Sequence, residues 1–173
     1  MYRRISLYAL VFVVVMLLQI FVFDRLTFSV IVAPLVYITF LLLLPTQTPQ
    51  IEMLFWALFL GVATDFGMGT AGLNTIVTLF LGYTRIYIMN TIFGKDLVSI
   101  GGVPTIEKLG RTRYNLYVAF MVFVQLFIYI VFESLSVVSW LLGLQKFIVS
   151  GLLSLIFVWL LSYFFGSLLT RKA

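Results

Sequence analysis

The chain has 173 residues, of which 63% are hydrophobic and 10% charged, with a mean hydropathy of +1.18. A water-soluble fold of this length has too little interior to hide that much apolar side chain, so lipid has to act as solvent. Cysteine and histidine are absent, which excludes disulfides, thiolate nucleophiles, imidazole bases and the usual soft-metal ligands, and no cofactor is expected. The formal net charge of +5 gathers at the ends of apolar runs, where it meets headgroups and sets orientation rather than binding nucleic acid.

A bilayer core of about 30 Å takes about 20 apolar residues per helix, so this length holds about six spans and no soluble domain. The expected fold is an all-α integral membrane bundle of six transmembrane helices, with residues 1–173 forming one domain. The first span covers about 5–23. Arg3 and Arg4 precede it in the manner of a signal peptide, but no small-residue cleavage site follows, so the segment is expected to be retained. After a turn at about 24–29 the second span covers about 30–44, with Pro34 tolerated near its start and Pro45 stopping it. A polar stretch bracketed by Pro45 and Pro49 leads into a third, short span over about 51–66. Gly67, Gly69 and Gly72 then form a tight reversal into a fourth span over about 73–89, interrupted near Gly82 and by Arg85. From about 90 to 113 glycine, proline and charge take over, making the one long loop. The fifth span covers about 114–132; a Ser/Trp/Gly stretch through Gly143 leads to the sixth, about 147–169, closed by Arg171 and Lys172.

With six spans, Arg3, Arg4, Arg85, Lys95, Lys108, Arg111, Arg113, Arg171 and Lys172 share one side, leaving Arg25 and Lys146 on the other. Cytoplasmic loops carry the excess of Lys and Arg, so both termini are expected in the cytoplasm.

The sharpest local feature runs from Gly61 to Asn74, where Asp65 ends a short span beside the glycine-rich reversal. Ala57, Gly61 and Asp65 recur every four residues and so share one helix stripe, whose small members let another backbone approach closely. Asp65 and Asn74 read either as contacts across the bundle, to each other's helix or to a partner, or as an interfacial cap. Gln19 and Gln125 lie within spans, where an unpaired amide is costly, and should face neighbouring helices. Arg85 reads as a snorkelling anchor at a helix end. Lys108, Arg111 and Arg113, next to Tyr114 and Tyr117, read as juxtamembrane topology signals or as contacts for a cytoplasmic protein or anionic lipid. Ser150, Gly151, Ser154, Ser162 and Gly166 permit close helix packing in the sixth span.

No enzyme active site is apparent. An aspartyl dyad needs a second deep carboxylate beside Asp65, whereas Asp24 and Glu133 lie at span edges, and Lys146 with Ser150 lacks an oxyanion site.

Taken in order, Leu18-Gln19 before Phe23-Asp24, Pro34 to Tyr37, Leu44-Pro45, Gly61-x-x-x-Asp65 and Gly72-Leu73-Asn74 resemble the MreD family of rod shape-determining membrane proteins, in its Bacteroidetes-like form, over nearly the full length. The resemblance implies a non-enzymatic role in the elongasome of the bacterial cytoplasmic membrane. MreC would be the partner, through its single transmembrane helix, and the complex would couple MreB filaments to RodA and its penicillin-binding transpeptidase. Ala57, Gly61, Asp65, Gly72 and Asn74 would then be the candidate partner contacts. It also implies a bundle similar to the substrate-binding components of energy-coupling-factor vitamin transporters. That likeness supplies the alternative, a small-molecule-binding transporter subunit using Asp65, Asn74, Glu133 and Lys146.

Overall fold

The computed structural model describes residues 2–23, 34–94, 101–134 and 140–171. The expected turn at 24–29, the first residues of the second span, Lys95, Asp96, residues 135–139 and Lys172 lie outside the described residues, as do the side chains of Arg3, Arg4 and Arg171.

Every regular element among the described residues is helical. Helix α1 (Tyr2–Leu17) continues as one wide π turn (Leu18–Phe23). There follow a five-residue helix α2 (Thr39–Leu43), α3 (Gln50–Met68), α4 (Leu73–Phe93), a single turn α5 (Ile106–Leu109), α6 (Arg111–Ser134) and α7 (Trp140–Arg171). Among the described residues, five stretches are long and apolar enough to cross a membrane: Ser6–Phe23, Gln50–Met68, Leu73–Phe93, Arg111–Glu133 and Gln145–Thr170. Their outward sides carry Phe55, Phe59, Phe66, Phe80, Phe120 and Phe127, all exposed, as expected where acyl chains replace water.

The second expected span is different. Residues 34–38 are not helical, and only Thr39–Leu43 close a helix. This stretch is nonetheless the most enclosed among the described residues, with no residue from Leu35 to Leu44 more than 3% exposed. Pro34 and Pro45 bracket it, and a proline disfavours helix in the residue before it and removes an N–H of its own. An apolar run reads alike as a lipid-facing helix or as irregular chain sealed inside protein, and here it is the second.

Irregular backbone is tolerated at such depth only when other groups satisfy it. Gln19 supplies two of those bonds, its Oε1 accepting from the Val36 N–H at 2.7 Å and its Nε2 donating to the Pro34 carbonyl at 3.2 Å. The Ser154 hydroxyl of α7 accepts from the Leu35 N–H at 2.9 Å, and at the far end Arg85 of α4 donates to the Leu44 carbonyl at 2.5 Å. The π turn of α1 carries Gln19, fully buried, to this place. Phe12, Phe40 and Trp56 pack α2 between α1 and α3, with centroids 5.2 Å apart for Phe12 and Phe40 and 5.4 Å for Phe40 and Trp56.

Helix α4 runs through Gly82 and Arg85 without a break and four residues past the expected end, so the interruption is not observed. Gly82 is a contact point instead: a Cβ there would stand 2.9 Å from that of Ala57 on α3. The long loop is correspondingly shorter, since α4 extends to Phe93 and α6 begins at Arg111.

Gln125 gives the control for Gln19. It is also fully buried and lies beside the Tyr37 hydroxyl, but neither amide atom reaches hydrogen-bond geometry with a partner. Gln19→Leu strands the Val36 N–H and the Pro34 carbonyl and should cost about 2–4 kcal/mol, whereas Gln125→Leu removes an unpaired amide and should be neutral or stabilising. Unfolding of the two variants in detergent compares them directly, and equal losses would refute the assignment.

Candidate functional site

Two clusters of polar side chains sit at opposite ends of α4. At one end α3 stops in a reversal where Gly69 and Gly72 take positive φ values of 67° and 85°, a conformation costly for any side chain but glycine. The first N–H groups of α4 emerge from this turn without partners in their own helix. Asp65 answers them. Its Oδ1 accepts from the Asn74 N–H at 2.9 Å and from the Thr70 hydroxyl at 2.5 Å. Its Oδ2 accepts from the Thr75 N–H at 2.9 Å and the Thr75 hydroxyl at 2.5 Å. A carboxylate at a helix N-terminus also meets the positive end of the macrodipole. Asn74 extends the cluster, its Nδ2 donating to Thr70 Oγ1 at 2.7 Å and its Oδ1 accepting from the Tyr37 hydroxyl at 3.0 Å.

Asp65 and Asn74 therefore meet across the hairpin, the carboxylate accepting from the Asn74 backbone N–H and the two side chains joined through Thr70. The stripe below them faces α4. A Cβ on Gly61 would lie 2.3 Å from Thr78 Oγ1 and 2.4 Å from Thr75 Cα, and Ala57 is fully buried against Gly82. The close approach read from the small residues is thus made within the chain. Gly72 sits at the lip of the hairpin.

At the other end Arg85 does not snorkel. It is 3% exposed, its Nε donating to the Tyr117 hydroxyl of α6 at 2.8 Å and its guanidinium reaching the Leu44 carbonyl. Interior carbonyl and phenol oxygens replace headgroup water, and the arginine ties α4, α6 and the irregular segment together. Beyond it Thr46 N–H donates to the Gly102 carbonyl at 2.9 Å, pinning the 101–105 loop to the turn after α2. Lys108, Arg111 and Arg113 are all exposed. Arg111 and Arg113 lie in the first turn of α6, where the macrodipole disfavours cations.

A third polar pair lies near the end of α6. Lys146 Nζ bonds both Glu133 carboxylate oxygens, at 2.6 and 2.7 Å, and sits 5.5 Å from the Tyr129 ring centroid. Lys146 is thereby engaged with Glu133 of α6.

The sequence reading gave Thr70 and Thr75 no role, named Tyr37 only within the family resemblance, and set Tyr117 in the juxtamembrane cluster rather than opposite Arg85. The threonines carried a signal, flanking Asp65 and the glycine reversal where cap residues belong. The tyrosines carried none, because a tyrosine in an apolar run is as readily an interfacial anchor. In comparisons with known proteins, no family model, curated protein or solved structure matches the chain.

Removing the cap by Asp65→Ala should cost about 2–3 kcal/mol, because it strands two N–H groups at the start of α4. Gly61→Leu drives a side chain into the α4 backbone and should cost about 3 kcal/mol or more. Both are read from unfolding midpoints in detergent; a wild-type midpoint for Asp65→Ala would rule out the capping role.

Proposed function

We propose that the chain is a non-enzymatic scaffold of the bacterial cytoplasmic membrane, a member of the MreD family with both termini in the cytoplasm. In this reading it binds the transmembrane helix of MreC and helps couple MreB filaments to RodA and its penicillin-binding transpeptidase during lateral-wall synthesis.

The observation that carries the reading is how the polar side chains are used. A vitamin-binding subunit needs Asp65, Asn74, Glu133 and Lys146 free to bind a ligand; Asp65 lines an open hollow of about 290 Å³ beside Phe66 and Thr70, but its two oxygens and the Asn74 amide are engaged within the α3–α4 hairpin, and Glu133 is bound to Lys146. What remains for recognition is the outer surface, which is apolar along the helices and basic at the α5 end. An open groove of about 370 Å³ runs between α6 and α7, lined by Val122, Leu126, Gly151 and Leu155 among others. Such a recess lets an apolar helix approach closely, the usual basis of helix association in lipid.

Because Gly61 is consumed inside the hairpin, its substitution reports on folding, and the partner test belongs on the groove. Tagged protein purified in mild detergent from its native membrane should bring MreC with it, and Gly151→Trp should reduce MreC recovery at least fivefold at equal membrane level. Absence of MreC from the wild-type preparation, with a small molecule retained instead, would overturn the scaffold reading in favour of the transporter subunit.

A further inference from the structure

At the Arg85 end of the bundle a cavity of about 370 Å³ opens between α1, the turn after α2, the 101–108 stretch and the end of α7. Its volume is on the order of ten times that of a water molecule in the liquid, so it is far larger than a single-water site. The lining has two characters. Leu7 of α1 and Leu169 of α7 supply apolar walls from two membrane-crossing helices, with Val103 beside them. Gln47 and Lys108 supply donors from the connecting segments, and Thr170 a hydroxyl.

Lys108 is held in position. Its Nζ donates to the Gly101 carbonyl at 3.0 Å, and the loop that presents this carbonyl is pinned through Gly102 to Thr46. Gly101 and Gly102 have φ values of 45° and 78°, and a Cβ on Gly102 would stand 3.1 Å from the ammonium. The glycine turn therefore lets the cation fold tightly against backbone. A Cβ on Gly101 would stand 3.4 Å from Gln47 Nε2, so the amide flanks the same turn. Among the described residues no carboxylate lies within ion-pair distance of Lys108. One carbonyl occupies one of three ammonium donors, which leaves an exposed positive charge with two further donors at the mouth of a half-apolar cavity.

A ligand that matches both halves carries an anionic oxygen group at one end and hydrocarbon at the other. We propose that this cavity holds the phosphate headgroup of an acidic phospholipid. Lys108 and Gln47 donate to the phosphate, and an acyl chain leaves between α1 and α7 past Leu7 and Leu169. Free phosphate would satisfy the cation but leave the leucine walls uncovered, which is why the lipid is the better occupant. The site needs only that the chain be embedded in a bilayer, so it stands apart from the identity of any protein partner.

The test is native mass spectrometry of the full chain offered equal amounts of phosphatidylglycerol and phosphatidylcholine. Wild type should retain phosphatidylglycerol preferentially; Lys108→Gln should lower that preference about fivefold, the share one basic side chain contributes at a membrane surface, and Lys108→Arg should keep it. Millimolar inorganic phosphate should not displace the lipid. An unchanged lipid ratio in Lys108→Gln overturns the proposal, and displacement by inorganic phosphate overturns it in favour of a free-anion site. Should Lys108→Gln not fold, Leu169→Trp fills the cavity from the helix side with the charge intact. It should lower phosphatidylglycerol retention, and unchanged retention again overturns the site.

Discussion

An unpaired peptide group in hydrocarbon costs several kcal/mol, and this chain buries an irregular stretch of backbone where no water can reach it. Most of the polar design follows from that constraint. Gln19, Ser154 and Arg85 come from three different helices and converge on the backbone of residues 34–44. Each fixes its own helix relative to the segment, so α1, α4 and α7 are positioned by hydrogen bonds where apolar packing alone would leave them free to slide. Apolar contact is weakly directional in lipid, since acyl chains offer a leucine much the same surroundings as another leucine does.

The α3–α4 hairpin solves the related problem of a helix start near the membrane surface. Asp65 supplies charge and acceptors to the α4 N-terminus, while Gly61 and Gly82 let the two helices close on each other. Both ends of α4 are therefore anchored, at Asp65 and through Arg85, and α4 forms a fixed post against which α3 and α6 pack. Chemistry-bearing side chains in this molecule mostly serve its own backbone. For the proposed scaffold role, that leaves recognition to shape along the helices and to positive charge at one end.

The sequence made the membrane class legible because composition alone decides it, and five helices follow from apolar runs long enough to have one reading. The place of Asp65 was legible too, because a carboxylate four residues from a small residue and beside glycines has few structural uses. The irregular segment was hidden. Leu35 to Leu44 is apolar apart from Thr39 and the Tyr37 hydroxyl, and the clearest local clue is a proline at either side; most of the groups that make it possible lie elsewhere in the chain. Arg85 was misread for the same reason. Whether an arginine near a helix end turns out to headgroups or in to a carbonyl depends on whether that carbonyl is free, which the sequence around it does not record.

The bond between the Leu35 N–H and Ser154 joins positions 119 residues apart. While the chain is being made, Leu35 leaves the ribosome long before its partner exists, and Arg85 also follows Leu44 by some forty residues. A continuous helix satisfies its own peptide groups as soon as it is made, whereas the native partners of Leu44 and Leu35 come into existence only with α4 and finally α7. A nascent chain that stops short of Ser154 therefore still lacks the hydroxyl that accepts from Leu35 in the finished fold.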